Sequence, residues 1–157
     1  MNRALIDQYE ADGELPAKAI AGLTREEMLA HPVPGTWSVQ EVILHLMDSD
    51  LVGSDRMKRV IAEPNPMLLA YDENLWVKHL GYDGLDPAMA CELFRLNRKM
   101  TVTMLRQQPD TAFSRTGNHT ERGIESLEVL VNGYIEHLHH HLQFVRAKRE
   151  KLGKPMG

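Results

Sequence analysis

Apolar residues recur along most of this chain at steps of three and four, and nowhere do they alternate at steps of two. That periodicity restricts the fold to packed helices. Leu5, Ile6, Tyr9, Gly13, Pro16, Ile20 and Leu23 trace one face of a first helix. Pro16 lacks the N–H that would bond four residues back, so a kink is expected around Gly13 and Pro16. "TREE" from Thr24 and "SVQE" from Ser38 are capping boxes. The second box opens a helix on Val39, Val42, Ile43 and Leu46 that should run to about Ala62, where "EPNP" stops it. A long crossover follows, with a short helix expected over Glu73–Leu80. Asp86–Pro87 opens a third helix that reaches about Gln108. The last helix is expected from near Gly123 to about Lys151. Four such helices with long connections predict an all-α, up-and-down-type four-helix bundle, and residues 1–157 read as a single domain.

Charge and composition remove several function classes. A formal net charge of −4 offers nucleic acid no electrostatic reason to bind. No stretch approaches the roughly 20 apolar residues of a membrane-spanning helix. The opening "MNRALIDQYEADGELP" has acids every few residues and does not read as a signal peptide. Cys91 is the single cysteine, so no internal disulfide can form and a cytoplasmic location is expected. No glycine-rich phosphate loop is present.

Half of the eight histidines fall within residues 137–141, in "YIEHLHHHLQFV". Leu127, Leu130, Val131, Tyr134, Leu138, Leu142 and Val145 define the apolar stripe of that helix. His137 and His141 are one turn apart and border the stripe, close enough for both imidazoles to reach one ion. His139 lies about 200° from His137 and should face solvent, whereas His140 lies about 60° round, on a flank. A third ligand is available in "VILHLMDSD", where His45 shares its face with Val42 and Ser49. Three neutral imidazoles on facing helices would bind a divalent cation and leave positions open for water, a thiol or a substrate oxygen. Asp48 could orient a ligand. The competing reading of each inward histidine is a hydrogen-bonded core residue. A di-iron bundle is excluded: it needs two Glu-x-x-His motifs, and only Glu136–His139 fits, on the wrong face.

Other positions carry smaller expectations. Trp37 reads as a plug at the bundle end, with substrate contact as the alternative. Tyr71, Asp72 and Glu73 are either a loop acid group near the metal or a solvated loop. Arg115 and His119 sit in the last connector and could reach the same end of the bundle. Asn97 falls on a stripe with Leu93, Met100 and Met104 and needs a partner. Cys91 reads as a small core residue.

Taken together, "PVPGTWSVQEVILHLMDSD", "AYDENLW" and "YIEHLHHHLQ" resemble the DinB-like superfamily, most closely its YfiT-like branch, in order and over nearly the whole chain. The resemblance implies a DinB/YfiT-type bundle with its metal at or between the helix ends. It matches the family's helix-two histidine to His45 and its last-helix pair to His137 and His141. It also implies one divalent ion (nickel, zinc or iron), a small-molecule substrate and a homodimer. The implied activity is that of a metal-dependent hydrolase or a low-molecular-weight thiol S-transferase using thiols such as bacillithiol or mycothiol. The tract is richer in histidine than the motif requires, which leaves His140 open as a flank ligand. Two other readings stand beside the enzyme: a non-catalytic metal-binding stress-response bundle acting through a partner, and a metal-free helical dimer.

Overall fold

The computed structural model describes residues 3–156. Seven helices are described: α1 (Arg3–Ala11), α2 (Leu15–Ile20), α3 (Arg25–Leu29), α4 (Val39–Ala62), α5 (Glu73–His79), α6 (Pro87–Arg106) and α7 (Leu127–Lys151). The expected kink is a 3-10 turn over Asp12–Glu14 that separates α1 from α2, with Pro16 in the first turn of α2. Both capping boxes form, at Thr24 for α3 and at Ser38 for α4. The Asp86 carboxylate caps α6 by accepting from the amides of Ala88 and Met89.

Three features depart from the sequence reading. The first is a small sheet: β1 (Met67–Leu68) runs parallel to β2 (Thr116–His119), which pairs antiparallel with β3 (Gly123–Ser126). These strands are too short and too polar to show an apolar alternation. Gly123 therefore belongs to a hairpin, at φ +79°, and the last helix starts later, capped by Ser126.

The second is the order of packing. In an up-and-down bundle each helix lies beside its predecessor. Here α1 packs on α6 and α7, and α4 also packs on α6 and α7. The order around the bundle is thus α1–α6–α4–α7, which the long connections permit.

The third is the inward face of α6. It is Ala90, Cys91, Phe94, Arg98, Thr101, Val102 and Leu105, while Leu93 and Met100 of the expected stripe are exposed. The reason is polar. Arg98 is 1% exposed, and its Nε donates to Asp50 Oδ1 at 2.9 Å, a carboxylate that is also 1% exposed. The same guanidinium donates to the carbonyls of Tyr9 and Tyr134, and it stacks over the rings of Tyr9 and Phe94. Asn97 finds its partners here too, donating to Asp50 and accepting from Ser54. Asp50, Arg98, Tyr9 and Tyr134 lie on α4, α6, α1 and α7, so one buried ion pair fastens all four long helices.

Close approach of α4 and α7 next to this knot requires Gly53. A Cβ there would stand 2.5 Å from the Tyr134 ring. Cys91 is buried as expected, and burial pushes its thiol up to about 12, away from reactivity.

Removing one partner of a buried, hydrogen-bonded ion pair strands the other's charge, a loss of about 3–5 kcal/mol. Arg98→Met is expected to lose stability of that order. Urea unfolding followed by circular dichroism measures it, and a change below about 1 kcal/mol would show the knot to be dispensable.

Candidate functional site

Two helices supply three imidazoles to one point. His45 projects from the second turn of α4, and His137 and His141 from successive turns of α7. One nitrogen from each of the three lies within 4.8 Å of the other two. His45 Nε2 and His137 Nε2 are 3.1 Å apart, and the His45 and His141 ring centres are 4.6 Å apart. The cluster contains His137 and His141 and neither His139 nor His140.

His140 is exposed and packs its ring against His141 and Phe144, outside the cluster. His139 is exposed, as its phase implies, and its Nε2 lies 2.8 Å from the buried Asp12 carboxylate, which ties α7 to the break after α1.

Burial sets the protonation state of the cluster. It pushes His45 down to about 3, with the neighbouring His141 adding to the shift. It pushes His137 to about 3, aided by His141 and His45, and His141 to about 4, aided by His140. All three are therefore neutral at pH 7, the form that ligates metals. Two facing imidazole nitrogens 3.1 Å apart can satisfy each other only if one is protonated; a shared cation would satisfy both. The buried Nδ1 of His141 also has no hydrogen-bond partner among the described residues. The donor set, its neutrality and its convergence fit a divalent cation of the zinc, nickel or iron type.

The other sequence candidates separate around this cluster. Glu73, the first residue of α5, brings a carboxylate oxygen to 3.8 Å from His45 Nε2, and burial raises its pKa, with Asp72 adding. Asp72 itself caps α5. The Trp37 ring stacks parallel to His141, 6.1 Å between centres, and lies 5.0 Å from His45, so it forms a wall of the site. Tyr71 packs on Trp76, and burial pushes its hydroxyl up to about 12. Asp48 accepts from the Tyr82 hydroxyl at 2.5 Å, and that phenol is its described partner in place of an imidazole. Arg115 is fastened to the carbonyls of Val60 and Glu63 at the end of α4, away from the cluster.

Two openings lead to the histidines. A cleft of about 550 Å³ is lined by His137 and Glu73 and also by Arg56, His119 and Arg122. A smaller one of about 240 Å³ reaches His141 between Trp37, Phe144 and Lys148. Ser49, already on the face of His45, and Tyr134, already on the stripe of the last helix, line the larger cleft, and Arg56 joins them. Arg56 escapes sequence reading, although it continues the face of His45 at a step of eleven.

Comparison with known proteins places this architecture. The model of the DinB superfamily matches residues 8–145. A protein of Oceanobacillus iheyensis, provisionally named a metal-dependent hydrolase, is 30% identical over 142 residues, 90% of this chain and 82% of the relative. YfiT of Bacillus subtilis, which carries the same provisional name, is 28% identical over 144 residues, 89% of this chain and 81% of the relative. The solved structure of YfiT, described as a probable metal-dependent hydrolase with an unusual four-helix bundle topology, superposes with a TM-score of 0.87. That match is at 27% identity and covers 96% of this chain and 87% of that one.

Each imidazole of the cluster has a folded pKa below the ordinary 6.5, so the unfolded chain binds more protons in between. The stability this contributes is present above pH 6.5 and is lost as pH falls toward 3–4. In chelator-treated protein the three ring Cε1–H resonances should hold their positions from pH 8 to pH 5. Thermal unfolding should shift to lower temperature below pH 6, less steeply in His137→Gln. Titration of all three rings near pH 6.5 would contradict the burial argument.

Proposed function

The chain belongs to the DinB superfamily, and from that premise we propose that it is a metal-dependent hydrolase of small molecules, holding one divalent cation on His45, His137 and His141. The observation that carries the reading is the convergence of three neutral imidazoles, two buried and one, His137, half-buried and lining an open cleft. The provisional names of its relatives support the hydrolytic reading. A purely structural metal would not need the cleft, which favours an enzyme over a bundle that acts only through a partner.

When bound, such a cation supplies Lewis acidity and makes a water or thiol more acidic near neutral pH. The chain's own residues do the rest. His45, His137 and His141 present lone pairs, with burial keeping protons off them. Glu73, beside His45 at the cleft wall, accepts the proton released by the attacking nucleophile and returns it to the leaving group. Its raised pKa brings the carboxyl closer to the range in which both transfers proceed at neutral pH. Trp37 packs against His45 and His141 and narrows the smaller opening on that side of the centre.

Elemental analysis of the purified protein should give about one divalent ion per chain, lost in His45→Ala, His137→Ala and His141→Ala. Full stoichiometry in any of the three variants would sink the assignment. Glu73→Gln should retain the metal and lose about 10²–10⁴-fold in kcat, the usual contribution of a positioned proton acceptor. Assaying ester and amide hydrolysis against conjugation of bacillithiol or mycothiol to electrophiles decides the nucleophile. Conjugation without hydrolysis would make the protein a thiol transferase built on the same centre.

A further inference from the structure

The cleft that opens on His137 ends in an arrangement the hydrolytic reading does not use. Arg56 is 5% exposed and makes no salt bridge among the described residues; the carboxylate that feels its charge, Glu125, is already paired with Arg122. Its terminal nitrogens donate to the Tyr134 hydroxyl and the Leu69 carbonyl, both neutral, and its Nε–H has no partner. A buried cation held only by neutral groups is costly unless something anionic joins it.

His119 stands beside it. Leu68, its register partner in β1, immediately precedes the Leu69 whose carbonyl holds Arg56. His119 is 2% exposed, and its Nδ1 accepts from the amides of Glu121 and Arg122. That geometry puts the ring proton on Nε2, and this second N–H also has no partner. Both side chains form the wall of the cleft that carries His137 and Glu73. Two unpaired donors, one of them on a guanidinium with no salt bridge, match the two oxygens and single charge of a carboxylate. A phosphate dianion fits less well, because the rim also carries Glu121 and Glu125, of which only Glu125 is neutralised, by Arg122.

We propose that Arg56 and His119 form a carboxylate-binding subsite, so that the substrate of this cleft is a small carboxylic acid whose reacting group lies toward His137. This rests on the reading of the cleft as the substrate site, but the subsite is built from protein groups alone and does not need the cation. The test is binding of 3-phenylpropanoate and its primary amide to the protein as purified, by saturation-transfer NMR titration, with metal content measured in every sample. His119→Asn keeps an acceptor where Nδ1 stands and removes the Nε2–H donor. Arg56→Lys keeps the charge and removes the free Nε–H.

Wild type should bind the acid at least tenfold tighter than the amide, and that ratio should fall at least fivefold in His119→Asn and in Arg56→Lys, with metal content and melting temperature near wild type. The ratio should survive in His137→Ala. Survival in protein without metal would leave the subsite standing while the metal assignment fell. Equal binding of acid and amide by wild type would overturn the subsite. So would an unchanged ratio in His119→Asn, or a ratio lost in His137→Ala alone, since the carboxylate would then sit on the cation.

Discussion

The architecture depends on one buried ion pair, Asp50 with Arg98. Apolar packing alone leaves helices free to slide and rotate, since many registers bury similar area. Here the guanidinium must reach Asp50 on α4, the Tyr9 carbonyl on α1 and the Tyr134 carbonyl on α7 together. Burial pushes the Asp50 carboxyl up, and the guanidinium beside it and the Asn97 amide work against that rise. The pair fixes the relative phase of α4 and α7. Tyr134 is one turn from His137, and Asp50 is five residues from His45. The same knot that closes the core therefore sets how the histidines meet.

Around it the core divides into two apolar clusters. One packs α1, α4, α6 and α7 at the Met57–Leu130 end, and the other gathers Val39, Leu44, Phe94, Leu138 and Val145 toward the start of α4. His45 lies among residues of the second cluster, and desolvation is the largest cause of the low basicity of His45 and His137. The three-stranded sheet has a different task. It joins the crossover after α4 to the connector before α7 and brings His119 and Arg56 to one wall of the cleft. The bundle thus carries the three clustered histidines and Arg56, and its two longest connections add His119 and Arg122 to the cleft. The division matches the tendency of long loops on a fixed scaffold to carry function.

Much was legible in the chain because helical signals are local. Both capping boxes, the Asp86–Pro87 start and the kink at Gly13–Pro16 depend on residues within one turn of each other. Helix phase likewise separated His137 and His141 from His140, and the resemblance of three motifs to the DinB-like superfamily agreed. The misses are non-local. Helix phase cannot foresee that His139 meets Asp12, since those residues are 127 apart and on different elements. Nor does the apolar count on α6 foresee that its inward face turns on Arg98, leaving Leu93 and Met100 outside.

The sequence by itself determined the long helices, most of their ends and the three histidines that border their apolar faces. All of these follow from periodicity and capping, which act over a few residues. Only the tertiary structure decided the order α1–α6–α4–α7, the pairing of Asp50 with Arg98 and the meeting of Arg56 with His119 across a small sheet. Those depend on which distant groups share a low-dielectric interior, where an unpaired charge or donor is too costly to leave alone. No local pattern encodes that choice, because its energy exists only once the helices have packed.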